Sequence, residues 1–219
     1  MAFRRFRRWR RMPLRRNRFR RRIFRHRLRR RVVRRTPTLY VKLTRTIQIA
    51  IPPSVEFNQP LHVSLNDFAE HINLAPNFER VKALRQTVRV YPQQNVSNTS
   101  TSRVGNYCML PYHKPVPTSL INFPTALSVD KAKVFRCTQK GRMSFVPATR
   151  LDADGVGGNQ TIRTDWRPEL EIGSTATNVI MYTGMIVFEN INAGLTGTTA
   201  YYTVVQDLYV RYKNQRSFI

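Results

Sequence analysis

The chain has 219 residues and a formal charge of +26, from 38 Lys+Arg against 12 Asp+Glu. Residues 1–35 hold 19 of the basic residues and none of the acidic ones, so this arm carries +19 and the remainder +7. No apolar run reaches the roughly 18 residues that a membrane-crossing helix needs, and no 7–15-residue apolar core of a secretory signal is present, so neither is expected.

The arm reads as one kind of side chain repeated: Arg4, Arg5, Arg7, Arg8, Arg10, Arg11, Arg15, Arg16, Arg18, Arg20, Arg21, Arg22, Arg25, Arg27, Arg29, Arg30, Arg31, Arg34 and Arg35, with no Lys. Like charges repel, and too little apolar surface is available to offset the entropy of ordering, so residues 1–35 are expected to be a disordered interaction tail. Its partner should be a polyanion, and a nucleic acid fits because phosphates neutralised by cations release condensed counterions. Guanidinium forks grip phosphate through two hydrogen bonds and stack on rings. Phe3, Phe6, Trp9, Phe19 and Phe24 lie between the arginines. Their rings either stack on unpaired bases, which favours a single strand, or dock on the domain's own surface. A transit peptide would be rich in Ser, and this arm has none. A nuclear localisation signal is compatible with such basic runs.

From Thr38 the pattern changes. In Val41–Ile51 the odd positions are apolar, with Arg45 the single exception, and the even ones mostly polar. The stretch predicts a half-buried strand ended by Pro52-Pro53. Next come a short strand at "LHVSL" and a helical turn, entered through a Ser64–Asp67 capping box or an Asn66 cap and closed by Pro76. "NFERVKALRQTVRVYP" predicts one helical turn running into a strand that stops at Pro92. "QQNVSNTSTS" is a polar loop, and its Asn95 and Asn98 acceptor patterns read as plain surface.

A short strand is expected near Tyr107–Leu110, then a long irregular, proline-rich connection of the kind that is often functional. "AKVFRCTQKGRMSFVPA" reads as strand, turn at Lys140-Gly141, strand. "TRLDADGVGGNQT" reads as a loop, and "RPELEI" alternates. "NVIMYTGMIVFENI" is nearly continuously apolar, as a strand buried on both faces would be. In "AYYTVVQDLYVRYKNQ" Tyr202, Val204, Leu208, Val210 and Tyr212 share one face, interrupted only by Gln206. About eight strands, many prolines and few helices predict an all-β sandwich or barrel, and specifically an eight-stranded jelly roll over residues 36–219.

No enzyme is expected. His26, His62, His71 and His113 are scattered without paired-ligand spacing. "DADGVGG" at Asp152–Gly158 lacks the further oxygen ligands and closing Glu of a calcium loop, and the Gly-Lys-Ser/Thr of a phosphate loop. Cys108 and Cys137, with no Cys-x-x-Cys, read as small buried hydrophobes. No metal and no cofactor are predicted.

An arginine arm joined to one eight-stranded jelly roll of this length resembles the capsid proteins of the circovirus family, cycloviruses included. "TPTLYVKLTRTIQIAI" is similar to that family's first strand after the arm. "SLNDF" followed by "FERVKALRQTVRVYP" resembles its Asp-Phe segment and basic strand ending in aromatic-Pro, and "AYYTVVQDLYVRYKN" resembles its closing strand. The resemblance implies a homo-oligomeric T=1 shell of 60 copies around circular single-stranded DNA. It also implies inward-pointing arms that carry nuclear import signals read by host import receptors, so that the protein is found in the virion and, during assembly, in the host nucleus. Outer loops would make the host cell-surface contacts, which for the family include sulfated polysaccharides. The Asp152–Gly158 stretch does not match the family, so no receptor residue is carried onto it. The rival reading is a cellular RNA-binding protein of ribosomal type with a β-rich body. Basic extensions there usually mix Lys with Arg.

Overall fold

Residue alternation builds the first strand, β1 (Thr38–Ile51): Leu43, Ile49 and Ile51 are buried while Lys42, Thr44, Thr46 and Gln48 are exposed. The computed structural model describes residues 38–52, 56–93, 105–115, 121–154, 160–173, 179–189 and 199–216. The further strands are β2 (Phe57–Pro60), β3 (Phe78–Pro92), β4 (Asn106–Pro111), β5 (Lys133–Arg136), β6 (Gly141–Phe145), β7 (Ala148–Asp154), β8 (Gln160–Trp166), β9 (Glu169–Glu171), β10 (Gly184–Phe188) and β11 (Ala200–Gln215).

One sheet runs β1-β11-β3-β6, with β9 extending the β3 edge beyond β6; the other runs β2-β10-β4-β5. The chain passes between sheets from β1 to β2, β2 to β3, β3 to β4, β5 to β6 and β10 to β11, which is the wrapping of a jelly roll. These two sets of four make the eight strands of a jelly roll; the sequence pointed to seven of them but not to β2, and β7, β8 and β9 lie in the connection between β6 and β10.

Two apolar clusters form the core, one between the sheets and one between the β1-β11-β3 strands and the segment 63–75. One holds Ile49, Val88, Tyr107, Ile186, Phe188 and Tyr202; the other holds Leu43, Phe68, Val81, Leu208 and Tyr212. Each such aliphatic or aromatic side chain removed from water contributes about 1.5–3 kcal/mol. Between the clusters, the two polar interruptions noted in β1 and β11 meet. Arg45 pairs in register with Gln206, and its Nε donates to Gln206 Oε1 at 2.6 Å. Its other nitrogens reach the His62 carbonyl at 2.8 Å and Asp67 at 2.6 Å. Asp67 also accepts the Ser64 N–H at 2.7 Å, which makes Ser64 the cap of the short turn Leu65–Asp67.

A third cluster lies on the far side of the second sheet. Alternation along β4 and β10 sends Cys108, Leu110, Met185 and Val187 outward, where Phe123 and Ala126 of helix α2 (Phe123–Leu127) cover them. All of β10 is therefore buried, as its continuous apolar run predicted. Gly184 opens that strand where an added Cβ would lie 2.5 Å from the Phe145 ring and 2.8 Å from the Leu110 carbonyl. Cys108 and Cys137 are free and buried, one in this outer cluster and one in the inter-sheet core.

Five sequence expectations need correction. The helical turn expected in "NFERVKAL" is strand from Phe78 onward, because β3 pairs with β11. Tyr209 pairs with Arg85 but Val210 with Ala83, so Leu84 is the extra residue of a β-bulge. The bulge shifts the buried positions from Val81 and Ala83 to Gln86, Val88 and Val90, and that phase change mimics a helical period. The proline-rich connection contains α2, entered through Asn122 with Pro124 in its first turn. The short strand at "LHVSL" reduces to one bridge, Val63 with Met181, before α1 (Ala69–Leu74). Residues 149–161, read as a loop, fall in an antiparallel ribbon of residues 148–154 and 160–166; the Gly- and Asp-rich stretch masks the short alternation of Leu151 and Ala153 with Arg150, Asp152 and Asp154. The turn placed at Lys140-Gly141 falls at Cys137–Gln139, since Gly141 already belongs to β6.

Candidate nucleic-acid interface

Every predicted arm residue, the arginines Arg4 to Arg35 and the rings Phe3, Phe6, Trp9, Phe19 and Phe24, lies outside the described residues. So do Asn95 and Asn98. Within the described domain, positive charge concentrates on the outer face of the β1-β11-β3-β6 sheet. Its outward positions carry Lys42, Arg80, Lys82, Arg85, Arg89, Arg142, Arg211 and Lys213 against Asp207, Glu169 and Glu171. Eight cations less three carboxylates leave +5 of the +7 that residues 36–219 carry.

Strand register arranges these side chains in rows. Thr38, Lys213, Arg80 and Glu171 form one row across four strands; Tyr40, Arg211, Lys82 and Glu169 form the next; Lys42, Tyr209 and Arg85 form the third. Six of the eight cations stand in these three rows, at the end of the sheet where β1 begins. Lys213 Nζ lies 2.6 Å from Glu169. The Lys213 hydrogen bond, helped by the charges of Lys82 and Arg211, holds the Glu169 carboxyl below its ordinary pKa. The Arg85 guanidinium sits over the Tyr209 ring, 4.6 Å from its centre, and Tyr40 is 64% exposed. Arg211 Nε is buried with no acceptor.

The fourth row is a neutral belt. Thr44 donates to Asp207 at 2.9 Å, Arg89 pairs with Asp207 at 2.7 Å, and Thr87 bonds Ser144 at 3.0 Å. Beyond it stand Arg89 and Arg142, opposite one another in register. The first three rows can therefore bind a polyanion and offer ring faces at the same time. These lysines and arginines were legible in the sequence as the polar side of strands. Their convergence was not, because it depends on which strands become neighbours.

Elsewhere the chemistry is sparser. A cavity of about 470 Å³ between the end of β4 and the β7–β8 ribbon is lined by His113, Lys114, Arg150 and Trp166, with the His113 ring edge-on to Trp166 at 4.6 Å. His71 is buried against Tyr212, whose hydroxyl lies 2.8 Å from Nδ1, but its Nε2 has no partner, so it is only half satisfied. Desolvation lowers the pKa of His71, His62 and His113 and raises the Cys108 and Cys137 thiols to about 11 and about 12. Among the described residues, no group of His, Cys, Asp and Glu could hold a metal ion, and no helix is long and apolar enough to cross a membrane.

Two four-stranded antiparallel sheets wrapped as a jelly roll, with one open basic face, define the class: a viral coat subunit fold. Solved structures agree on the fold. The 60-mer BFDV capsid protein superposes with a TM-score of 0.66 at 16% identity, covering 84% of this chain and 97% of that one. The decameric BFDV capsid protein gives 0.58 at 17% identity, covering 81% and 100%. The circovirus capsid protein family matches residues 4–216. The capsid protein of Human associated cyclovirus 1 is 38% identical over 182 residues, 81% of this chain and 83% of that protein. The chain belongs to the circovirus capsid protein family.

Proposed function

We propose that this chain is the subunit of a T=1 shell of 60 copies that packages circular single-stranded DNA, with residues 1–35 as the DNA-binding and nuclear-import arm and residues 36–219 as the shell domain. The observation that carries the reading is that the family match begins at residue 4, inside the arginine arm, and runs through the whole jelly roll. The assembled form of a fold relative, a 60-mer, supports the copy number. Sixty arms of +19 bring 60 × 19 = 1140 positive charges, enough to neutralise a strand on the order of a thousand nucleotides. Repeated arginine binds phosphate without reading sequence, which suits a container. Loops between strands would carry host attachment, and sulfated polysaccharides are the receptor class the family resemblance favours.

Electron microscopy of the purified protein tests the assembly: uniform small round particles are expected, and a protein that stays monomeric with and without DNA would overturn it. Deleting residues 1–35 should sharply reduce the DNA packaged at moderate salt, and a truncated protein that packages as much DNA as the full chain would contradict the role of the arm. A fluorescent protein fused to residues 1–35 should accumulate in nuclei, and a purely cytoplasmic signal would refute the import role.

A further inference from the structure

We propose that the cavity between the end of β4 and the β7–β8 ribbon is a binding site for a carboxylated sugar of the sialic acid type, presented at the end of a glycan chain. This rests on the host-attachment reading above and adds a place in the fold and a ligand chemistry distinct from sulfated polysaccharide.

Strand register builds the site. Ala148 pairs with Trp166 and Arg150 with Thr164, so alternation puts Arg150, Thr164 and Trp166 on one face of the ribbon. That face meets Tyr112, His113 and Lys114 across a cavity of about 470 Å³, a volume ordinary for small-ligand sites. Backbone hydrogen bonds fix both walls. Ala148 and Tyr182 exchange a pair at 2.9 and 2.7 Å, the Arg167 N–H donates to the Pro147 carbonyl at 2.8 Å, and the Tyr112 N–H donates to the Thr183 carbonyl at 3.3 Å. His113 ties the walls together, its Nε2 donating to the Val146 carbonyl at 3.0 Å.

Three features select the ligand. First, Lys114 and Arg150 have no carboxylate partner among the described residues, and Asp165, which pairs with Thr149, belongs to the opposite face of the ribbon. Arg150 can therefore hold a carboxylate through two parallel hydrogen bonds. Second, Trp166 is 53% exposed, and His113 props its ring edge-on at 4.6 Å and 66°. The electron-rich face of an indole attracts the C–H bonds of a sugar ring, which their oxygen neighbours leave electron-poor. Third, the remaining polar groups suit hydroxyls. With Nε2–H committed to a carbonyl, the neutral His113 ring keeps Nδ1 as an acceptor, and the Thr164 hydroxyl both donates and accepts. A sulfated polysaccharide carries charge along its whole length and needs a track of cations to match, whereas this cavity offers two cations beside one ring face.

The sequence has two tryptophans, so in the full-length Trp9→Phe variant all indole emission comes from Trp166. That protein is titrated with 3′-sialyllactose, lactose and thymidine monophosphate. A saturable emission change with sialyllactose alone is expected. No change, or an equal change with lactose, would overturn the assignment, and an equal change with the nucleotide would make this a nucleotide site instead. Arg150→Gln and Lys114→Gln should each weaken sialyllactose binding about tenfold or more, the worth of a charged hydrogen bond, with an unchanged melting temperature; unaltered affinity in both would refute the site. Trp166 emission that acrylamide cannot quench in the assembled protein would show a neighbouring copy covering the cavity, and would overturn the proposal too. Attachment is read separately on immobilised fetuin, sialidase-treated fetuin and heparin, where loss of fetuin binding on sialidase treatment is expected. Protein that binds heparin alone would overturn this site and leave the attachment reading standing, whereas protein that binds none of the three would remove both.

Discussion

The two sheets of this sandwich solve the problem of an outer face in opposite ways. The β2-β10-β4-β5 sheet points Cys108, Leu110, Met185 and Val187 outward and covers them with its own helix α2. Among the described residues, the β1-β11-β3-β6 sheet leaves its outer face open and fills it with Lys, Arg, Thr and Tyr. A covered face contributes to stability through apolar burial. An open, charge-rich face contributes little to stability, since exposed ion pairs are worth about 0–1 kcal/mol, and is free to be used for binding. The contrast teaches that stability and nucleic-acid affinity should separate cleanly between the two sheets.

The largest break in that contrast should come from uncovering the apolar sheet. Phe123→Ala removes a ring that is buried on Cys108, Leu110, Met185 and Val187; a loss of about 3–5 kcal/mol is expected, read as a lower urea midpoint, with oligonucleotide affinity unmoved. Arg45→Ala attacks the seam between the two inner clusters. It strips Gln206 and the His62 carbonyl of their partner and should cost about 1–3 kcal/mol, with little from Asp67, which is partly exposed and screened. If the variant is as stable as the parent, the seam is not structural.

Acidity should act on the interior rather than on the open face. An unfolded His71 takes up a proton near pH 6.5, while burial lowers the pKa of the folded one. Below that pH the unfolded chain binds more protons, so the stability from neutral His71 is complete above pH 6.5 and is lost as pH falls toward the lowered folded value. Urea midpoints at pH 7.5 and 5.5 should fall with pH, and the fall should shrink in His71→Phe. The smallest stability change belongs to the open face. Lys82→Gln or Arg85→Gln should shift stability by less than about 0.5 kcal/mol while weakening oligothymidylate binding at low salt, and a large melting shift would break the comparison.

The sandwich was legible wherever one face of a strand is buried and the other wet. β1 and β11 show it, and even their exceptions agree, since Arg45 and Gln206 turn out to be partners. The continuous apolar run of β10 was legible for the complementary reason, burial on both faces. β3 was misread in its first half because one inserted residue, Leu84, breaks the period of two. The β7–β8 ribbon was missed because its alternation is short, with few large apolar residues such as Leu151 and Ile162, and flanks a Gly- and Asp-rich stretch that reads as a loop.

By itself, the order of amino acids determined the polycationic arm, the boundary near Thr38 and the all-β character, because net charge and side-chain alternation are properties of neighbours along the chain. Only the tertiary structure decided that Lys82, Arg85, Arg211 and Lys42 stand together with Tyr40 and Tyr209 on one open face. Those residues are brought together by the hydrogen-bonded register of β11 with β1 and with β3, each more than a hundred residues away from β11 in sequence, and strand pairing is a long-range choice that no local pattern records.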